Sequence, residues 1–300
     1  MEILSPREVP LGGLRAMTVR RTLPQRQRTF VGAWCFVDHY GPDDVDQQGG
    51  MVVPPHPHTG LQTASWLFSG EIEHRDSAGH HAFVRPGELN LMTAGRGISH
   101  SEYSTPGTTV LHGAQLWLAL PDSDRHTEPD FEHHVPAAVT GDGWEVRVFL
   151  GSVLGSTSPV RTHSPLLGAE LRLRAGTTLQ IPVDPTYEHG LLLDSGSLTV
   201  DGDALTATEL GYLEPGRDQL EVSAAEDALV LLLGGPPFGE QIVMWWNFIG
   251  REHDEVAAYR AQWQHLLEEG SDDRFSLPQD DPEPALPAPV LPNARMLKRG

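Results

Sequence analysis

Two stretches decide how this chain is read: Pro54-Pro55-His56-Pro57-His58-Thr59-Gly60 and, further on, Thr93-Ala94-Gly95-Arg96-Gly97-Ile98-Ser99-His100-Ser101-Glu102. On an extended chain, residues two apart share a face. His56 and His58 therefore aim both imidazoles at one point, and His100 and Glu102 do the same with an imidazole and a carboxylate. Pro57 fixes its own φ, disfavours helix for His56 and removes one ladder hydrogen bond, which is tolerated best at a strand start or rim. The Gly95-Arg96-Gly97 turn can bring the second pair in beside the first. Three imidazoles and one carboxylate make a mononuclear metal site. With no thiolate and with open positions, the set suits Fe(II), Mn(II), Ni(II) or Cu(II) better than structural zinc. A lone His-X-His commonly holds no metal; two such pairs in one β unit, each beside glycine-rich turns, carry the argument.

Working outward, the chain from Val52 to about Leu120 repeats one rhythm, a short apolar run followed by Gly, Pro or Asp. Leu61 to Phe68 precedes Ser69-Gly70, Ala82 to Val84 precedes Arg85-Pro86-Gly87, and Gly113 to Leu120 precedes Pro121-Asp122. Strands with turn signals this close together indicate a sandwich or barrel. Upstream, Met17 to Leu23 alternates, Thr29 to Asp38 reads as a second strand, and Asp43 to Gly50 reads as an exposed loop. The polar stretch Pro121 to Pro136 reads as a link between domains. The rhythm then resumes in Trp144 to Leu150, Ala169 to Leu173, Thr178 to Val183, Gly190 to Asp194, Leu198 to Val200, Glu209 to Leu213 and Ala228 to Leu233. Leu67-Phe68-Ser69-Gly70-Glu71-Ile72-Glu73 has an echo in Leu192-Leu193-Asp194-Ser195-Gly196-Ser197-Leu198, as a duplicated unit would leave. Val256, Tyr259, Trp263, Leu266 and Leu267 recur at helical spacing, with Asp254 placed to cap the start and Gly270 the end. The tail beyond is acidic, then rich in proline, and is expected to run extended over the surface. The expected architecture is all-β, two barrels in tandem followed by a short C-terminal helix and an extended tail. The expected boundaries are 1–135, 136–250 and 251–300.

The composition fits, with 31 glycines and 25 prolines favouring many turns over long helices. A formal charge of −20 repels phosphate backbones and anionic membrane surfaces. No apolar run approaches the ~20 residues of a membrane helix. The start, Met1-Glu2-Ile3-Leu4-Ser5-Pro6, does not read as a secretory signal. A single cysteine, Cys35 between Trp34 and Phe36, reads as a small buried apolar residue and fits a reducing compartment. The expected location is the cytoplasm.

Most of the other histidines lack supporting neighbours. His74, His80, His81, His133, His134, His163 and His189 read as solvated edge residues, with support of the site as a lesser alternative for His74. His253 and His265, on or near the helix, read as surface residues.

The run from His56 to Thr63, the run Gly70-Glu71-Ile72-Glu73-His74-Arg75-Asp76-Ser77, and Pro86 to Glu102 together resemble the pirin family. Phe36 to Pro42 and Gln115 to Pro121 are similar to its flanking motifs, and Gly234 to Glu240 with the following helix gives a looser match in the second half. The resemblance implies a bicupin, two cupin (double-stranded β-helix, or jelly-roll) barrels facing one another. It implies one iron-type divalent metal in the first barrel, with His56, His58, His100 and Glu102 in the ligand positions; Fe(II) comes first, with Mn, Ni, Cu, Co and Zn as alternatives. The second barrel has no His-X-His and no histidine near Glu221, so a second metal there is not expected.

Pirin-like proteins are linked to two roles. One is oxygen-dependent ring opening of flavonols such as quercetin. The other is regulatory, a metal-state-dependent partner of other proteins. For the first, an open metal position would bind a deprotonated 3-hydroxyl and Glu102 would take the proton. Phe36, Trp66 and Met92 are candidates to hold a flat substrate, and Arg96 either meets an anionic substrate or pairs with an acidic neighbour. The second role needs no turnover; the acidic surface suits a basic protein partner.

Overall fold

A computed structural model describes residues 1–11, 17–45 and 50–300. It contains two β-barrels, each made of a seven-stranded and a four-stranded sheet. The first barrel uses β2 (Arg7–Pro10), β3 (Thr18–Leu23), β4 (Trp34–Asp44), β5 (Val52–His58), β6 (Leu61–Ser69), β7 (Ile72–Asp76), β8 (His81–Val84), β9 (Leu89–Thr93), β10 (Ile98–Ser104), β11 (Val110–Ala119) and β12 (Asp130–His134). Its large sheet runs β12-β9-β6-β11-β4-β3-β2 and its small sheet β5-β10-β7-β8. The second barrel uses β13 (Ala138–Gly141), β14 (Trp144–Leu150), β17 (Leu167–Leu173), β18 (Thr178–Pro182), β19 (Glu188–Ser195), β20 (Ser197–Val200), β21 (Asp203–Thr206), β22 (Leu210–Leu213), β23 (Gln219–Ala224) and β24 (Ala228–Gly235), with β15 (Ser152–Val153) and β16 (Ser156–Thr157) as a small hairpin. Its small sheet runs β18-β23-β20-β21, and its large sheet is completed at one edge by β1 (Glu2–Leu4), which pairs with β22. A last hairpin, β25 (Val243–Trp245) and β26 (Phe248–Gly250), leads into helix α1 (His253–Glu269).

The period of two along each strand sorts side chains into two interiors and a seam. On β4, Phe36 and Asp38 face the first barrel's cavity, whereas Val37 packs in the seam between barrels. On β11, Gln115 and Trp117 face the cavity, and Ala114, Leu116 and Leu118 face the seam. On β19, Leu191 and Leu193 fill the second barrel and Leu192 reaches the seam. Trp66 sits at the centre of that seam. It stacks on Phe149 with ring centroids 4.6 Å apart and donates its indole N–H to Glu170 across the barrels at 2.7 Å. Truncating a buried tryptophan of this kind costs about 3–5 kcal/mol.

Three segments differ from the sequence reading. The expected link Pro121–Pro136 contains β12, which closes the edge of the first barrel's large sheet by pairing with β9. Of the expected loop Asp43 to Gly50, Asp43 and Asp44 instead finish β4, and residues 46–49 lie outside the described residues. The tail follows the surface but is anchored by buried side chains, Phe275 and Ala288. It binds the outward face of β10: Ser99 donates to the Ser276 carbonyl at 2.5 Å, and Tyr103 donates to Asp281 at 2.5 Å. Further on, the Leu286 N–H donates to the Pro55 carbonyl at 2.8 Å, immediately before His56, the first inward histidine of β5. Helix α1 starts one residue before the expected cap, with Glu252 as N-cap, and ends at Gly270 in the left-handed conformation (φ 78°). Among the described residues, no helix is long and apolar enough to cross a membrane.

Candidate metal centre

β5 and β10 run antiparallel with His100 opposite His56 and Ile98 opposite His58. Both histidine-bearing faces turn into the first barrel, so the three imidazoles meet. Ring centroids lie 4.4 Å apart for His56 and His100, 4.9 Å for His58 and His100, and 5.0 Å for His56 and His58. The Nε2 atoms of His58 and His100 are 3.0 Å apart. Gly60 (φ 68°) makes the turn after His58 possible, because a Cβ there would lie 2.4 Å from the Ile249 carbonyl oxygen. Glycine thus lets β26 close over the rim of the site.

The imidazoles are buried, and burial holds all three below the ordinary histidine range, His56 at about 4. They are therefore neutral at pH 7, with a lone pair available. The second nitrogens explain which lone pair that is. His56 Nδ1 donates to the Pro54 carbonyl at 2.9 Å, which leaves its Nε2 bare. His100 Nδ1 meets His74 Nδ1 at 3.3 Å, and His74 Nε2 meets Asp76 Oδ2 at 3.3 Å. The proton positions follow from the end of this chain. The carboxylate accepts from His74 Nε2–H, so His74 Nδ1 is an acceptor, so His100 Nδ1 carries the proton and its Nε2 faces the cluster bare. Asp76 is itself pinned by the backbone N–H groups of Ala78 (2.9 Å) and His80 (3.0 Å). Burial works against its charge, but hydrogen bonds from His74 and the His80 backbone hold its carboxyl below the ordinary value.

Glu102 also turns inward, after a register shift between it and His100. Its carboxylate groups with His74 and His100 within 4.8 Å, while His56, His58 and His100 form a second such group. The structure therefore brings the three sequence-selected histidines together, with Glu102 approaching from the His74 side. Burial pushes the Glu102 carboxyl up to about 7 against a hydrogen bond from Ser65. Three bare, buried imidazole nitrogens beside a carboxyl group fit a divalent cation.

A cavity of about 390 Å³ opens from these residues. One wall is an aromatic stack: Phe36 lies on Trp117 at 3.9 Å and 10°, and Trp117 meets His58 edge-on at 5.1 Å. Arg21 covers the far face of Phe36 at 4.3 Å and binds Asp38 through two hydrogen bonds of 2.6 and 2.7 Å. The opposite side is supplied by Met244, Trp245, Trp246 and Asn247, with Leu286 and Arg299 from the tail. Of the three apolar candidates for the mouth, Phe36 lines the cavity; Trp66 and Met92 are packed elsewhere, Trp66 in the seam. Arg96 pairs with Glu128 at 2.9 Å. Cys35 is buried as expected, and burial pushes its thiol up, away from reactivity. Two histidines read as solvated are buried: His74, in the relay, and His189, which is 1% exposed. Asp76 was missed, although Ile72, His74 and Asp76 share one strand face by the same period of two that selected His56 and His58.

The pirin family model matches residues 15–118, and the model for the pirin C-terminal cupin domain matches residues 168–267. The chain belongs to the pirin family. Among its pirin relatives, a Pseudomonas aeruginosa protein named "Putative quercetin 2,3-dioxygenase" is 44% identical over 97% of this chain and 91% of its own length. A Caulobacter vibrioides pirin-like protein is 36% identical over 82% of this chain and 88% of its own. A crystal structure of quercetin 2,3-dioxygenase from Acinetobacter baumannii shares the whole pirin architecture, with a TM-score of 0.92 and 40% identity, covering 99% of this chain and 97% of that one.

Proposed function

We propose that this pirin is a metal-dependent dioxygenase of the quercetin 2,3-dioxygenase type, opening the ring of flavonols. One divalent cation would be held by His56, His58, His100 and Glu102. The observation that carries this reading is the meeting of three buried, neutral imidazoles at the end of an aromatic-walled cavity. The all-nitrogen and oxygen donor set suits Fe(II), Mn(II), Ni(II) or Cu(II) better than structural zinc, and the likeness to pirins puts Fe(II) first, with Mn, Ni, Cu, Co and Zn as alternatives. The names of the Pseudomonas and Acinetobacter proteins, both similar over nearly their full lengths, support the substrate class.

The metal, when bound, supplies a Lewis acid that favours the deprotonated flavonol and a centre for dioxygen chemistry. The protein's own groups do the rest. The Phe36–Trp117 stack supplies an apolar wall against which the fused rings can lie. Glu102 takes the proton of the flavonol 3-hydroxyl on a carboxylate oxygen. Trp245, Trp246 and Leu286 exclude water from the cavity. In this division of labour, residues 1–135 carry the chemistry, residues 136–250 form a supporting barrel that gives this centre no ligand and whose last hairpin walls the cavity, and residues 251–300 add Leu286 and Arg299 to that wall. The single, buried Cys35 favours the cytoplasm as the place of work.

The test is oxygen uptake by Fe(II)-reconstituted protein with quercetin, beside His58→Ala treated identically. Uptake by the wild type alone, with loss of the flavonol absorbance, is expected. No uptake at one iron per chain would overturn the flavonol reading and shift weight to a regulatory role with a protein partner. Undiminished metal content in the variant would overturn the ligand assignment.

A further inference from the structure

We propose that the seam between the barrels holds a second divalent-cation site, formed by His39 of β4, His112 of β11 and Asp194 of β19. It is separate from the centre described above and shares no residue with it. His39 and His112 come from the first barrel and Asp194 from the second, so a cation here would clip the two together.

His39 follows Val37 on the seam-facing side of β4, while His112 and Asp194 sit at register shifts of β11 and β19 and meet it in the seam. The Nε2 atoms of both imidazoles converge on one carboxylate oxygen, Oδ1 of Asp194, at 2.6 Å from His39 and 2.5 Å from His112. The three ligand-type atoms lie within 4.8 Å of one another. His39 and Asp194 side chains are 1% and 4% exposed, whereas His112 is 14% exposed, which leaves an entry on its side. Phe68 packs edge-on against the His112 ring at 4.9 Å and fixes its plane.

The group is a buried anion whose ring-nitrogen partners a cation can engage. His39 donates its Nε2–H to Asp194, so a cation taking Nε2 moves the ring proton to Nδ1, which is buried and holds no other hydrogen bond. Burial keeps His39 below the ordinary histidine range against the pull of Asp194, and Arg20 and His112 oppose its protonation too. Asp194 stays ionised: burial opposes this, but the hydrogen bonds from His112 and His39 hold it well below the usual carboxylate range. The result is a neutral imidazole and a fixed anion aimed at the same point as a second imidazole. Arg20, anchored on the Gly41 carbonyl, adds a positive charge nearby and will weaken binding. Two nitrogens and one oxygen, with a fourth position open towards His112's exposed side, match a four-coordinate zinc-type ion completed by water.

Zn(II) is the probe, measured by equilibrium dialysis and by melting temperature in the full-length chain. The background is His58→Ala/His100→Ala, which removes the first-barrel centre. That protein is expected to retain one Zn(II) per chain and to melt at a higher temperature with zinc than without. Adding His112→Gln, or separately Asp194→Asn, should abolish both effects while the metal-free protein still shows a cooperative melt. Co(II) in the same background should give the intense visible bands of a four-coordinate ion. No zinc retained by the folded background protein would overturn the proposal, as would equal retention after either added substitution. The two proposals fail separately. One zinc in the wild type and none in the background removes only the seam site. Equal zinc in both removes only the first-barrel assignment.

Discussion

In the first barrel, β5, β10 and β7 line the interior with His56, His58, His100, His74 and Asp76; in the second, β18, β23 and β20 occupy the same places in the small sheet. The registers correspond pair for pair. His100 lies opposite His56 and Asp76, and Val222 lies opposite Leu179 and Val200. Ile98 faces His58 as Leu220 faces Ile181, and Glu102 faces His74 as Ala224 faces Leu198. Every polar group around the candidate centre is thus matched by an aliphatic one, and the second interior is a solid cluster of Val, Leu, Ile and Ala. One backbone supports both solutions, so the architecture alone does not make the site. Burying six polar side chains costs stability that aliphatic ones would supply. The shared seam, with Trp34, Trp66, Phe149 and their aliphatic neighbours, offsets that cost by joining the hollow barrel to the solid one.

Matched substitutions can break this comparison. His58→Ala should empty the centre and abolish oxygen uptake, read by metal analysis and an oxygen electrode. Ile181→Ala, its counterpart, should leave metal content unchanged and lower the unfolding free energy by about 2–5 kcal/mol in a denaturant titration. If Ile181→Ala emptied the centre too, the barrels would not be separable in this way. A smaller effect is expected behind the ligands. Asp76→Asn breaks the relay that leaves His100 Nε2 bare and should weaken metal binding about 10–100-fold with little change in melting temperature. Unaltered affinity would mean that the relay does not orient His100.

The smallest effect is graded with pH. In the metal-free site Glu102 titrates at about 7, so below that value a proton must leave before the carboxylate can bind a cation. Affinity should be greatest above pH 7 and fall about tenfold per unit beneath it, with one proton released on metal uptake at pH 6. Below about pH 4, protonation of His56 steepens the loss. Calorimetry in buffers of different ionisation enthalpy would count the proton. Glu102→Gln should flatten the profile between those limits, and an unchanged slope would assign the proton elsewhere.

The sequence made much of this legible because its signals are local. Turn residues bracket each strand, and the spacing of two placed His56 with His58 and His100 with Glu102. The same spacing links His74 to Asp76, but Glu73 and Arg75 flank His74 and gave that strand a surface character. Only its pairing with β10 turns His74 and Asp76 inward. His39, His112 and Asp194 are far apart in the chain and meet only because two barrels pack face to face. The anchoring of the tail was hidden for another reason: its contacts are isolated hydrogen bonds and scattered buried side chains, Phe275 and Ala288, from an irregular segment with no periodicity to read. β12 was lost in a polar stretch because an edge strand buries little.

The crossing of β1 bears on how the molecule is made. Residues 2–4 are made well before the strand they join, β22, which lies some two hundred residues downstream. The large sheet of the second barrel cannot be finished until both ends of that span are in solution together. During synthesis β1 must wait as an unpaired edge while the first barrel forms behind it, so this strand is made early and placed late.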